Sequence, residues 1–151
     1  MKTIKFTILI CLFLTLGLTG CVGPFARDRG GYHGPAKYEQ AFKNAVNIAI
    51  AEIQPTTDRV LVFKWDKWPI RVKFSPTVGQ SGRGEKFIKY GDHTVCGYYH
   101  YGTIYIPDPA SWDVIIHEVA HLVLDKNGIQ DVDGNLHHNM FPDFFKKWSC
   151  R

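Results

Sequence analysis

Residues 112–125 read WDVIIHEVAHLVLD, a mostly apolar run into which two histidines and one glutamate intrude. Ser111 is a candidate N-cap in front of this run and Gly128 a candidate C-terminal glycine behind it, so the run predicts a helix. The apolar neighbours predict that the helix is buried, and buried polar side chains need partners. A bound metal ion is one partner that would satisfy all of them.

The polar residues of this helix form the pattern His117-Glu118-Val119-Ala120-His121. A spacing of four places both imidazoles on one helical face, where they can hold one zinc ion, with Glu118 beside them. In such a site zinc acidifies a water and polarises the scissile carbonyl, while the glutamate moves the water's proton to the leaving amine. We therefore expect His117 and His121 to be zinc ligands and Glu118 the general base. Core or surface histidines with Glu118 as their hydrogen-bond partner are the alternative.

A catalytic zinc site also needs a third protein ligand and an open fourth position. The metzincin continuation is absent, and a thermolysin-type glutamate does not occur after Glu118. His137 and His138 are the remaining candidates, and the sequence does not choose between them. Asp125 shares a helical face with His121, so it is an alternative carboxylate ligand, an acceptor for an imidazole N–H, or a charge at the helix end.

A two-histidine helix followed by a loop that returns a histidine ahead of a final helix resembles the short SprT-like and related zincins. The resemblance covers residues 104–148, about a third of the chain. It implies an α+β, zincin-like fold, in which a small mixed or antiparallel sheet packs on the active-site helix, with an N-terminal helix and a short C-terminal helix. It also implies one zinc ion and a protein or peptide substrate that binds along a sheet edge, for which Thr103–Ile106 is our candidate.

The first twenty residues differ in character from the rest. Two lysines precede an apolar run that is too short for a spanning helix, which predicts a secretory signal peptide over residues 1–20. The run ends in Leu18-Thr19-Gly20-Cys21, which resembles the bacterial lipobox. The resemblance implies that Cys21 is lipidated and anchors the chain to a membrane, with Val22 favouring the periplasmic side of the outer membrane in a Gram-negative host. A plain signal peptide or an uncleaved anchor is the alternative.

Cysteine usage fits an oxidising compartment. Of the 4 cysteines, Cys11 leaves with the signal peptide and Cys21 is lipidated, which leaves Cys96 and Cys150 as a pair. We expect a disulfide between them. Free thiols or metal ligands are the alternatives, although the pair lacks the short spacing of a thiolate zinc site.

A tether and one domain follow the signal peptide. Residues 21–35 are rich in Gly and Pro and predict a flexible, lipidated tether, and residues 36–151 predict one zincin-like domain. Apolar spacing and turn residues predict its elements: a helix over 37–54, strands over 59–65 and 70–74 joined as a hairpin, a loop over 77–84, strands over 94–99 and 103–106, a loop over 131–139, and a final helix from Pro142 through Trp148.

Composition places the chain among globular proteins, since 45% of its residues are hydrophobic and 21% are charged. Loss of the signal peptide lowers the formal charge from +4 to about +2, which is too weak to indicate nucleic-acid binding.

Taken together, the histidine motif and the leader predict an envelope-anchored zinc metallopeptidase that cleaves proteins, peptides or peptidoglycan stem peptides. The alternatives are a zincin-like lipoprotein that binds a metal or a partner without turnover, and a purely structural lipoprotein, which would hold no zinc.

Overall fold

The structure, a computed structural model, describes residues 29–131 and 135–150. The predicted signal peptide, Cys21 and the first part of the predicted tether lie outside these residues. Within the described ranges, no helix combines the length and the apolarity that crossing a bilayer requires.

A four-stranded mixed sheet forms the centre of the fold, in the order β1 (Gly31–His33), β2 (Pro69–Phe74), β7 (Thr103–Ile106) and β6 (Tyr98–His100). Strands β1, β2 and β7 run parallel, and β6 pairs antiparallel with β7. Side chains alternate between the two faces of a strand. The alternate residues Ile70, Val72, Ile104 and Ile106 are accordingly buried in the main core.

A smaller antiparallel sheet lies between β2 and β6 in the chain. It consists of β3 (Gly79–Gln80), β4 (Lys86–Tyr90) and β5 (His93–Val95). Its last strand leads through Cys96 and Gly97 directly into β6. The two sheets together position the segment that borders the candidate site.

Two long helices pack against each other in the same core. Helix α1 (Glu39–Ile53) buries its apolar face, and helix α2 (Trp112–Lys126) is buried along most of its length. Ser111 caps α2 by accepting a hydrogen bond from the backbone N–H of Val114, and Gly128 adopts a φ of +78° just beyond the helix. Both helix-end predictions are confirmed, as is an α+β fold with a mixed sheet.

Two short helices complete the chain, α3 (Leu136–Met140) and α4 (Pro142–Lys147). At the end of α4, Glu52 of α1 accepts hydrogen bonds from the side chains of Lys147 and Trp148. A disulfide joins Cys96 and Cys150, whose Cα atoms lie 6.3 Å apart. The C-terminal helices are thus fastened to α1 on one side and to the start of β6 on the other.

Two strand predictions are wrong. Residues 59–65 form no strand or hairpin, because the side chains of Gln54 and Asn127 occupy backbone groups of residues 59, 61 and 62 that a strand ladder would use. Thr103–Ile106 is not the sheet edge, since it lies between β2 and β6. The edge beside α2 is β6.

Four boundaries also differ from the prediction. The strand predicted over 94–99 is divided into β5 and β6, which belong to different sheets. Gly31–His33, placed in the tether by its glycines, pairs with the start of β2, so the fold begins before residue 36. Gly79–Gln80, placed in a loop, pairs with β4. Leu136–Met140, also placed in a loop, is a helix. The backbone N–H of its first residue, Leu136, donates a hydrogen bond to the side chain of Asp131.

Candidate metal centre

Three imidazoles converge between α2 and α3. His117 and His121 lie one turn apart on α2, and α3 brings His138 to them. The Nε2 atom of His121 lies 3.4 Å from that of His117 and 3.1 Å from that of His138. One nitrogen of each ring lies within 4.8 Å of the other two. This cluster can hold a metal ion.

The nitrogen spacing matches a tetrahedral zinc site. Zn–N bonds of about 2.0–2.1 Å at a tetrahedral angle place two ligand nitrogens about 3.4 Å apart. The two Nε2–Nε2 distances, 3.4 and 3.1 Å, are close to that value. Three protein nitrogens would leave the fourth position open, as a catalytic zinc site requires.

The electrostatics of the cluster favour neutral imidazoles, the form that binds metals. Burial lowers the pKa of His117 to about 4, and burial, reinforced by the neighbouring histidines, lowers the pKa of His121 to about 2. Burial also lowers the pKa of His138, against the opposing charge of Asp131. At neutral pH all three rings therefore carry a nitrogen lone pair.

His137 is fully buried and contacts His121 from the side opposite the cluster. Its Nε2 is hydrogen-bonded to the carbonyl oxygen of Ile129, and its Nδ1 lies 2.8 Å from Nδ1 of His121. A carbonyl oxygen only accepts hydrogen bonds, so Nε2 of a neutral His137 carries the proton and its Nδ1 is an acceptor. The Nδ1–H of His121 then donates to it, which leaves the lone pair of His121 on Nε2, facing the cluster.

A second group of potential ligands consists of His121, Asp131 and His137. The Asp131 carboxylate lies 3.7 and 3.6 Å from Nδ1 of His121 and of His137. A metal ion there would need the lone pair of His121 Nδ1, which in a neutral ring would put the proton on Nε2 and exclude that atom from the first cluster. The 2.8 Å contact between the two Nδ1 atoms has the length of a hydrogen bond, so we assign this group to orienting His121.

Glu118 is 5% exposed and lies on α2 against the segment that enters β6. A Cβ atom built on Gly97 would lie 3.2 Å from Oε1 of Glu118 and 2.8 Å from Cγ1 of Val114, so only glycine fits. Burial raises the pKa of Glu118 to about 8, and a hydrogen bond from the backbone of Tyr99 opposes that rise. The carboxyl group is therefore held by β6 at the free edge of the sheet.

Asp125 does not join the histidine cluster. Its Oδ2 accepts a hydrogen bond of 2.6 Å from the hydroxyl of Tyr99. Burial raises the pKa of Tyr99 well above its usual value, and the bond to Asp125 adds to the rise. The structure shows a role for Asp125 that was not predicted from the sequence: its carboxylate connects α2 to the edge strand β6.

Phe145 forms an apolar wall of the cluster that the sequence analysis did not identify. Its ring stacks on His138 at 4.5 Å and lies 4.6 Å from the ring of His121 and 5.0 Å from that of His117.

The Nδ1 atom of His117 is buried and lacks a hydrogen bond of ordinary geometry within the described chain. The backbone of Trp148 is the polar group that acts on that imidazole. For the Phe145 wall, the sequence offered one signal, the aromatic composition of the final helix.

The comparisons with known proteins leave the site to be judged on its own residues. No protein-family model, curated protein or solved structure matches the chain. The finding is a buried histidine cluster that can hold a metal ion, beside a buried carboxyl group at a sheet edge.

Proposed function

We propose that the chain is a zinc-dependent metallopeptidase anchored in the bacterial envelope. In this proposal His117, His121 and His138 bind zinc, and Glu118 is the general base. The observation that carries the proposal is the convergence of three imidazoles beside the helix that also carries a buried glutamate, with two of the Nε2–Nε2 distances close to those of a tetrahedral site. A cluster of structural histidines would need neither that spacing nor the carboxyl group.

Each residue of the site has a task in peptide hydrolysis. Zinc held there would supply Lewis acidity, and its positive charge would favour the ionised form of Glu118 over the neutral form that burial favours. Glu118 would then accept a proton from the attacking water and pass it to the leaving amine, while the backbone of Tyr99 orients its carboxyl group. His137 keeps the lone pair of His121 on Nε2. Phe145 shields one side of the cluster from solvent.

The edge strand supports a protein or peptide substrate. Strand β6 is the last strand of the four-stranded sheet, and it lies beside Glu118. An extended peptide can add to such an edge through backbone hydrogen bonds. A substrate paired with β6 would pass the Glu118 carboxyl group, so the proposal assigns substrate binding to β6.

The envelope location rests on the leader sequence. Lipidation of Cys21 would anchor the chain, on the periplasmic side of the outer membrane in a Gram-negative host. The disulfide between Cys96 and Cys150 agrees with an oxidising compartment.

The test uses the full-length lipoprotein in detergent, with bound metal measured by elemental analysis and peptidase activity on unfolded protein and on peptidoglycan stem peptides. We expect about one zinc per chain. Glu118→Gln should retain the zinc and lose at least about 100-fold in kcat, whereas His121→Ala should lose both. His93→Ala, an exposed histidine outside the cluster, is the control and should change neither.

The outcomes separate the proposal from its alternatives. Bound zinc with no hydrolysis, or with hydrolysis that Glu118→Gln leaves intact, would favour a metal-binding lipoprotein without this mechanism. Folded wild-type protein that holds no metal would contradict the proposal altogether and leave a structural lipoprotein.

A further inference from the structure

The described chain begins at one end of the central sheet. Strands β1, β2 and β7 are parallel, so all three begin at the same end. Gly30 directly precedes β1, and its backbone N–H donates to the carbonyl oxygen of Asp66 at 3.3 Å. We call this the tether end, because Cys21 lies nine residues before Gly30. Nine extended residues span at most about 30 Å.

Large apolar side chains are exposed at the tether end. Val60 is 79% exposed, Val62 41% and Trp65 36%, all on the segment that precedes β2. Tyr101, in the turn that precedes β7, is 90% exposed. Leu61, between the two valines, is only 4% exposed, so this segment presents alternate residues to the core and to the solvent.

The valines are held in place by hydrogen bonds. The side chain of Gln54 donates to the carbonyl oxygen of residue 59 and accepts from the N–H of Leu61, at 2.8 and 2.7 Å. The side chain of Asn127 pairs with both backbone groups of Val62, at 3.1 and 2.8 Å. The exposed side chains of Val60 and Val62 therefore project from a backbone that hydrogen bonds hold in place.

The neighbouring residues comprise two lysines and two tryptophans around one aspartate. Phe63, Lys64, Trp65, Asp66, Lys67 and Trp68 follow the valines, and Phe63 packs edge-on against Trp65 at 4.7 Å. Tryptophan prefers the interface between bilayer and water, where its ring is apolar and its N–H remains hydrated. Lysine stems lie along apolar surface while their ammonium groups reach lipid phosphates. Exposed valines, tryptophan and lysine together are typical of a protein surface that contacts the membrane interface.

We propose that the tether-end surface, formed by Val60, Val62, Lys64, Trp65, Lys67 and Tyr101, docks onto the bilayer that holds the acyl chains of Cys21. The proposal rests on the lipid anchor of the proposed function and is independent of peptidase activity. It fixes the orientation of the domain, because Gly30 and the exposed side chains lie at the same end. Helix α2 ends there, so Glu118, nine residues before Asn127, would lie about 14 Å from the docking surface. The site would then act on substrates close to the membrane.

The test places the full-length lipoprotein in vesicles of equal parts phosphatidylethanolamine and phosphatidylglycerol, with acyl-brominated lipid as the fluorescence quencher. Trp112 provides the matched control. It is 39% exposed, close to Trp65 at 36%, but it begins α2, which follows the far end of β7. Wild-type fluorescence should be quenched, Trp65→Phe should remove most of the quenched signal, and Trp112→Phe should leave it unchanged.

Mass spectrometry of the mature N-terminus shows independently whether Cys21 carries lipid. A lipidated protein without quenching, an equal loss of the quenched signal in both variants, or a loss confined to Trp112→Phe would each overturn the docking surface. An N-terminus without lipid would also overturn it. None of these results bears on zinc binding or hydrolysis, which are measured separately.

Discussion

Replacing His137 tests the assignment of ligand and supporting residue among adjacent histidines. In the structure the Nε2–H of His137 donates to Ile129, and its Nδ1 accepts from His121. His137→Leu removes both contacts. His137→Asn also loses the contact with Ile129 but keeps an acceptor, Oδ1, at the position of Nδ1. The two variants therefore differ in one respect that bears on the metal, whether the Nδ1–H of His121 has a partner.

The expected effect follows from the burial of that N–H. A buried donor that loses its acceptor costs about 1–3 kcal/mol. Loss of the group that orients a metal-ligating histidine costs about 10- to 100-fold in metal affinity, which corresponds to about 1.4–2.7 kcal/mol. The two ranges agree, so His137→Leu should raise the zinc Kd about 10- to 100-fold. His137→Asn should bind zinc with an affinity close to that of the wild type.

The assay is zinc competition against a chromophoric chelator, with thermal unfolding of the metal-free proteins measured in parallel. Both variants lose the bond to Ile129, so that loss cancels between them. His137→Leu should then be less stable than His137→Asn by about 1–3 kcal/mol and should also bind zinc more weakly, because only His137→Leu leaves the N–H of His121 without an acceptor. His138→Ala should abolish binding at one zinc per chain. An unchanged Kd in His137→Leu would refute the hydrogen-bond argument. Abolished binding in His137→Leu with binding retained in His138→Ala would show that His137 is the third ligand.

Two further predictions concern Glu118. Burial raises its pKa from 4.5 to about 8, so the unfolded chain releases this proton first and the metal-free protein loses stability as pH rises. Between pH 6.5 and 8 this contribution should lower the free energy of unfolding of the wild type by about 2 kcal/mol relative to Glu118→Gln, because the histidines contribute equally to the pH dependence of both proteins. Urea unfolding of both proteins measures the difference, and equal pH slopes would contradict it. Gly97→Ala places a methyl group 2.8 Å from Val114 and 3.2 Å from Glu118, so we expect lower kcat with zinc still bound; unchanged kcat would show that the carboxyl group does not depend on this contact.

Local sequence signals were sufficient for α2 and insufficient for the third ligand. The N-cap, the glycine after the helix and the spacing of His117 and His121 depend on residues close in sequence, and all of them appear in the structure as predicted. His137 and His138 are adjacent on a short helix, so their side chains point about 100° apart. Which of them faces the α2 histidines depends on how α3 is seated beside α2, and nothing within the loop sequence specifies that.

Long-range contacts also explain the error at residues 59–65. The segment has the apolar, β-branched composition of a strand, but Gln54 and Asn127 hydrogen-bond to its backbone. Asn127 lies 65 residues away in sequence, so its effect on the segment was invisible to a local pattern. The edge strand was misplaced for the same kind of reason, because strand order follows from which strands pair in space.

The disulfide connects the two walls of the candidate site. Cys96 precedes Gly97, which packs on Glu118, and Cys150 lies two residues after Trp148, whose backbone acts on His117. The bridge spans 54 residues, and a closed loop of that length stabilises a fold by about 4 kcal/mol. Because that loop contains all of α2 and α3, the bridge restricts the chain segments that carry every candidate ligand. A site fastened in this way depends on an oxidising compartment, which is also where the proposed lipidation of Cys21 would place the chain.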